Sequence, residues 1–356
     1  MPATTTKKAN SVRQTTGWAV HHPGAALHPW TIQRRDLRDD DVAVRIEYSG
    51  ICGSDLDAVR HGDAAAMPLV AGHEMTGTVT AVGACVTRFT VGDRVAVGNV
   101  VDSCGTCPVC VEHRENWCFA FPVVTYGGTD RVDGTVTQGG FATEYVAREA
   151  FVYYLPPGLD PAAAAPLLCA GATVFAPLRR WQAGPGKTAG IVGIGGLGHL
   201  GVKFAHALGA HVVAFTTSKS KAAEALAPGA DETILSTDPA QLDGARWRCD
   251  LILDTVGAPH DINGYLRALK LDGTLCTVGI PPEAWQVDPM SLLYGAKQLT
   301  GGSGDGTRLV RDMLDFSAAH GITAEIELVP ATGINEALDR LERGDVRYRF
   351  VLDMAR

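Results

Sequence analysis

The hexapeptide Gly193-Ile194-Gly195-Gly196-Leu197-Gly198 constrains this chain more than any other segment. An apolar run, Ala189–Ile194, leads into it, and a helical pattern, Leu197–Leu208, leads out. In that setting G-x-G-x-x-G is a dinucleotide-binding turn. Gly193 permits the tight turn, Gly195 lets the backbone approach a pyrophosphate, and Gly198 lets helix and strand pack closely. Gly196 and Leu197 complete the turn, and the helix N-terminus faces the anion.

The pattern continues on the C-terminal side. His211–Thr216 reads as the next strand, followed by a helix through Ala225. Asp250–Val256 and Thr274–Val278 are further strands, with a helical segment at Ile262–Leu269 between them. Such alternation predicts an α/β fold with a parallel sheet covered on both faces. The segment before it, Thr16–Val152, is different. Short runs such as Asp41–Tyr48, Met75–Val82 and Asp93–Val97 are interrupted by Gly, Asp and Pro, which predicts an irregular β-rich unit with functional loops. Two helical patterns and strands at Ala324–Val329 and Arg349–Asp353 close the chain.

An NAD site calls for Asp or Glu about 20 residues beyond the glycines, at the end of the next strand. This chain has Thr216-Thr217-Ser218-Lys219-Ser220-Lys221 there. Hydroxyls and two cations suit a 2′-phosphate, so NADP(H) is favoured over the bland alternative of a solvated polar turn.

Cys104, Cys107, Cys110 and Cys118 form C-x2-C-x2-C-x7-C. Four thiolates at this spacing suit a structural Zn²⁺, with an iron–sulfur cluster as the weaker alternative. Cys85, Cys249 and Cys276 lie singly in apolar runs and read as small buried hydrophobes. A second constellation is scattered: Cys52 after a strand, His73-Glu74 about twenty residues on, and Cys169 far downstream. Each is weak alone. Together they make a Cys₂His set that leaves a fourth position open for water or substrate, where zinc acts as a Lewis acid. Glu74 is a candidate temporary ligand or neighbour of the site. Asp55 is placed to accept a hydrogen bond from the His73 ring.

The formal net charge is −8, which disfavours binding to nucleic acid or anionic membrane. Residues 1–16 lack the apolar core of a secretory signal and read as a loose tail. The most apolar stretch, Ala162–Leu178, contains Pro166 and Pro177 and falls short of the ~20 residues of a membrane span. A cytoplasmic location, with reduced cysteines free to hold metal, is expected.

These motifs, in this order, resemble the zinc-containing medium-chain dehydrogenases, and within them the cinnamyl alcohol dehydrogenase-like aldehyde reductases. The matching segments are Gly50–Leu56, Val70–Glu74, Gly92–Val97, Asp102–Cys118, Ala164–Trp181, Pro185–Gly201, Ala319–Glu327 and Arg343–Asp353. The resemblance implies a GroES-like catalytic domain (17–160 and 306–356) and a doubly wound Rossmann domain (161–305), with a cleft between them. It implies that Cys52, His73 and Cys169 hold a catalytic zinc that Glu74 can approach, and that the four clustered cysteines hold a structural one. Thr173, Thr255, Gly279 and Ser303 match cofactor-lining positions, and homodimers are common in the group. The implied reaction is reversible reduction of an aldehyde, acting on an apolar, aromatic or allylic primary alcohol/aldehyde pair. A proton passes through the Ser54 hydroxyl and the cofactor ribose.

Two departures stand out. Asp57 replaces the histidine that usually ends the proton relay, and a carboxylate is ordinarily ionised at neutral pH and a poor donor. Its carboxyl is kept protonated, or water carries the proton, or the substrate is an activated C=C or iminium bond that needs no such relay. Gly53 replaces a more usual His or Arg, which weakens contacts to the cofactor phosphates. A non-catalytic dinucleotide sensor is the remaining reading, and the open zinc set argues against it. The loops Arg60–Pro68 and Phe119–Tyr126 and the surroundings of Trp285 are candidate substrate walls.

Overall fold

The computed structural model describes residues 13–356. Residues 1–12 of the expected tail lie outside that range, and residues 13–16 correct it. They begin a strand, Arg13–Ala19, which pairs antiparallel with His28–Arg34. Its inward positions are Thr15, Gly17 and Ala19, so the two-residue alternation of a half-buried strand is masked by small and polar side chains. Arg13 is anchored by a salt bridge to Glu144.

The β-rich unit is built on the long strand Asp41–Ile51. Met75–Val82 and Glu144–Arg148 both pair antiparallel with it, and Arg94–Val97 and Val152–Tyr154 extend the sheet beyond Met75–Val82. On the other side the chain returns from its far end. Arg349–Asp353 pairs antiparallel with Asp41–Ile51, and Ile326–Pro330 lies parallel to Arg349–Asp353. Ile46, Ile51, Val70, Met75, Phe141, Phe350 and Leu352 fill the core of this unit.

The second sheet has six parallel strands. Their spatial order is Glu232–Leu235, His211–Thr216, Thr188–Val192, Cys249–Asp254, Leu269–Thr277, Gln298–Gly301. In chain order this is 3-2-1-4-5-6, so the connections diverge between Thr188–Val192 and Cys249–Asp254. Ligands of doubly wound sheets bind at that divergence, outside the carboxyl ends of the strands. The two outer strands escape the sequence reading because edge strands lack the continuous apolar signature of buried parallel ones. Gln298 is exposed and Glu232 half-buried.

The stretch Ala162–Leu178 is buried inside the protein. Two helical pieces, Pro161–Leu168 and Ala170–Arg180, meet at 58° around Cys169. Phe175 of the second packs on Phe204, with ring centroids 5.1 Å apart. No single helix among the described residues is long and apolar enough to cross a membrane. Cys249 and Cys276 are buried as expected, whereas Cys85 is exposed. It sits in a surface turn, where its amide donates to the Asp39 carbonyl.

The cysteine-rich loop grips the segment by which the chain leaves the second sheet. Glu115, buried within it, accepts hydrogen bonds from the Thr307 amide (2.8 Å) and hydroxyl (3.0 Å). Thr307 opens the helix Thr307–His320, whose N-cap, Gly306, has no side chain to satisfy the exposed amides. Arg114 and Trp117 both bind Asp305 just before it. Replacing Glu115→Ala is expected to lower the unfolding free energy by about 2 kcal/mol, the scale of hydrogen bonds to a buried charge. An unchanged midpoint in urea titration would show that this cap contributes nothing.

Candidate metal and cofactor site

Cys52 lies where the strand Asp41–Ile51 ends and the helix Gly53–His61 begins, and it caps that helix. Asp55 in the first helical turn accepts the Cys52 amide at 2.9 Å. The neighbouring strand begins just after His73-Glu74, and the Gly50 amide donates to the Glu74 carbonyl. A side chain at Gly50 would collide with the Glu74 carboxylate, its Cβ falling 2.1 Å from Oε2. Gly72 has φ +96°, and a Cβ there would strike Phe141 at 2.6 Å. Glycine is therefore required for the turn that delivers His73. Cys169 occupies the break between its two helical segments.

These elements bring Cys52, His73, Glu74 and Cys169 together, with ligand atoms all within 4.8 Å of one another. The Cys52 and Cys169 sulfurs are 3.9 Å apart. That is far from a disulfide and close to the edge of about 3.8 Å that two thiolates share on one tetrahedral zinc. Cys52, His73 and Glu74 are buried and Cys169 is half-buried. The donor set thus fits a Cys₂His zinc site.

Asp55 is the hub of this arrangement. Its Oδ1 accepts from His73 Nδ1 (2.8 Å) and the Gly72 amide (3.0 Å), while Oδ2 holds the Cys52 amide. The ring is thereby oriented with Nε2 left as the free donor atom. The hydrogen bond from Cys169, aided by Arg349 and His73, holds the Cys52 thiol well below its ordinary range despite burial.

One residue of the site was not singled out from sequence. Arg349 opens the last strand and forms a buried ion pair with Glu74 Oε1. Glu74 Oε2 is buried without a partner. Burial pushes this carboxyl up to about 7, against the pull of Arg349. The Arg349 side chain also passes across the glycine-rich turn: a Cβ at Gly196 would lie 2.9 Å from its Cδ. Gly196 is thus needed to make room for Arg349. The available signal was an arginine inside a strand that is otherwise apolar up to Asp353.

The rest of the turn is shaped as a cradle. Gly193 has φ +84°, and a Cβ at Gly198 would come within 1.8 Å of the Gly193 carbonyl. Nothing lies within 4 Å of a Cβ at Gly195, which leaves open space above the turn. Thr255 donates to the Val192 and Gly193 carbonyls and holds the turn from the next strand. Gly279 packs against Val256, where a Cβ would fall 2.2 Å from its carbonyl. Leu197 is half-buried just before the helix Gly198–Ala207. His199 in that helix donates through Nδ1 to the Gly195 carbonyl (2.9 Å) and accepts the Glu325 amide at Nε2 (3.3 Å). Burial holds this imidazole down to about 3, so it is neutral.

Thr216 is buried at the end of its strand, and its hydroxyl accepts the Ser218 amide. Ser218 caps the helix Lys219–Leu226. Thr217, Lys219 and Lys221 are exposed, and neither lysine forms an ion pair among the described residues. Thr173 is half-buried one turn after Cys169, and Ser303 follows the strand Gln298–Gly301. Ser54 and Asp57 are exposed on the helix that Cys52 caps. Of the candidate substrate walls, Tyr126 comes to the site, its ring 5.9 Å from that of His73. Phe119 and Phe121 are exposed, and Trp285 packs beside His260 on the nucleotide domain.

Cys104, Cys107, Cys110 and Cys118 also bring their sulfurs within 4.8 Å of one another. All nine cysteines are unpaired. The Cys104 and Cys118 sulfurs accept backbone amides from Cys107 and Cys104, each at 3.4 Å. Amides of Thr106 and Cys107 pull the Cys104 thiol down to about 6, the behaviour of a thiolate donor.

Comparison with known proteins places this geometry. Residues 38–157 match the alcohol dehydrogenase GroES-like domain, and residues 196–319 match the zinc-binding dehydrogenase domain. The aldehyde reductase YahK of Escherichia coli (strain K12) is 45% identical over 330 residues, covering 92% of this chain and 94% of its own. The cinnamyl alcohol dehydrogenase SbCAD4 of Sorghum bicolor superposes with a TM-score of 0.93 at 41% identity, covering 96% of this chain and 98% of that one. The CAD of Helicobacter pylori, solved in complex with NADP(H), superposes with a TM-score of 0.89 at 32% identity, covering 96% of this chain and 99% of that one. The chain belongs to the zinc-binding alcohol dehydrogenase family and is an oxidoreductase of the cinnamyl alcohol dehydrogenase type.

Two outcomes follow from the geometry. Asp55→Asn keeps the shape but loses the charge that orients His73, and is expected to weaken zinc at this site by about 10–100-fold in chelator competition. His199, neutral in the fold, must gain a proton on unfolding below its ordinary range. Its contribution to stability is complete above pH ~6.5 and is lost as pH falls toward ~3, amounting to about 2 kcal/mol by pH 5. His199→Asn should flatten that slope in pH-dependent unfolding, and an unchanged slope would show that His199 is already protonated.

Proposed function

We propose that this protein is an NADP(H)-dependent reductase of apolar aldehydes, reversible as a dehydrogenase of the matching primary alcohols. The observation that carries the reading is the convergence of Cys52, His73 and Cys169 at a half-open site joined through Arg349 to the glycine-rich turn. The H. pylori relative bound to NADP(H) and the aldehyde reductase YahK support it.

With both groups bound, zinc supplies Lewis-acid polarisation of the carbonyl oxygen and the dinucleotide supplies hydride. The chain's own residues prepare that chemistry. Asp55 holds the His73 ring in one tautomer. Arg349 offsets the charge of Glu74 while leaving Oε2 free to approach the metal. Gly193, Gly195 and the following helix N-terminus receive the pyrophosphate. Thr217, Ser218, Lys219 and Lys221 offer hydroxyls and cations to a 2′-phosphate. The Ser54 hydroxyl hands a proton to the product oxygen. Asp57 is exposed on the same helix, so solvent water ends this path in place of a histidine.

The direct test is a panel of aromatic, allylic and aliphatic aldehydes offered with NADPH and NADH, using protein shown to hold two zincs per chain. Turnover of apolar aldehydes is expected, with NADPH preferred by about tenfold, the worth of one charge-assisted hydrogen bond. A fully metallated protein that turns over none of them would overturn the proposal.

A further inference from the structure

Lys221 and Glu224 stand three residues apart on the helix Lys219–Leu226, the spacing at which opposite charges on a helix surface pair. They do not pair here. Glu224 is engaged from the other domain: its Oε2 accepts the Tyr348 hydroxyl at 3.0 Å, with the Arg347 guanidinium 4.0 Å away. Lys221 is left exposed beside Lys219 at the start of the helix.

Tyr348 is held firmly for this contact. It is buried, its amide donates to the Glu325 carbonyl, and it directly precedes the fully buried strand Arg349–Asp353. Its ring stacks on His199, centroids 4.8 Å apart and planes 14° from parallel. His199 in turn holds the Gly195 carbonyl. One side chain of the catalytic domain thus touches both the helix that follows the glycine-rich turn and the helix that carries Lys219 and Lys221. Burial, with Glu224 beside it, pushes the Tyr348 hydroxyl up to about 12, so it remains a donor throughout the neutral range.

We propose that Tyr348 is a positioning residue for cofactor choice: by engaging Glu224 it keeps that carboxylate from Lys221 and leaves the lysine free for a 2′-phosphate. This rests on the NADP(H) reading above. Removing the hydroxyl leaves Glu224 only the longer contact to the exposed Arg347, so its carboxylate is freed to swing toward Lys221 and brings its charge nearer the phosphate. Only a cofactor carrying that phosphate feels the change.

The test is a pair of dissociation constants, for NADPH and NADH, read by cofactor fluorescence on zinc-loaded protein. Tyr348→Phe keeps the stack and removes the hydroxyl. It is expected to weaken NADPH by about fivefold and NADH by less than about twofold, as a charge interaction confined to the phosphate would. Adding Glu224→Gln to that variant should restore NADPH binding, because no competing charge remains. Glu224→Gln alone should bind NADPH at least as tightly as the parent. A parent that prefers NADH overturns the NADP(H) reading, and this proposal with it. A parent that prefers NADPH, with Tyr348→Phe weakening both cofactors equally or neither, overturns this proposal alone. Should Tyr348→Phe fail to fold, weaker NADPH binding by Glu224→Gln would overturn it, since a purely structural contact predicts that loss.

Discussion

Glu74 and Arg349 form a buried ion pair on which the rest of the arrangement depends. Both side chains are buried, so each charge is tolerable only beside the other. Removing one partner from such a pair typically costs about 3–5 kcal/mol, whereas the intact pair contributes little net stability. Its value here is positional. Glu74 follows the candidate metal donor His73, and Arg349 opens a strand inside the seven-stranded sheet, between Asp41–Ile51 and Ile326–Pro330. The same guanidinium side chain lies against Gly196, so the metal donors and the dinucleotide turn are joined through one side chain.

A second set of contacts holds the point where the chain passes from one domain to the other. The cysteine-rich loop reaches across to Asp305 and Thr307 through Arg114, Glu115 and Trp117. Four cysteine sulfurs converge within that loop, and one Zn²⁺ held among them would fix so short a segment with little regular structure. The two candidate metal sites therefore differ in what surrounds them. One has its four thiolate donors in a single loop and organises an interface, and the other has donors from three distant segments and keeps a side open.

Much of this was legible without coordinates. The glycine turn, its flanking strand and helix, and the clustered cysteines carry their meaning in local spacing, because each is closed by residues within a few positions of one another. Cys52, His73 and Cys169 were legible only as a set, since 117 residues separate the two sulfurs that meet at 3.9 Å. Where reading failed, the local signal pointed elsewhere. Thr15 and Gly17 hide the first strand behind polar and small side chains, and Cys85 keeps apolar company in sequence while facing solvent in a turn.

The sequence by itself determined the donor types, the glycine-rich turn and the lack of a carboxylate after the second strand of the parallel sheet, because these are chemical identities that folding does not alter. Only the tertiary structure decided which charges are shared. Arg349 could have been any strand-edge arginine, Glu224 an ordinary helical partner for Lys221, and Glu115 one more acidic loop residue. Each acquires its role from a partner more than a hundred residues away, brought within hydrogen-bonding reach by sheet register and domain packing. Such pairings leave no periodicity to read, since their distance along the chain is set by topology and not by the repeat of a helix or strand.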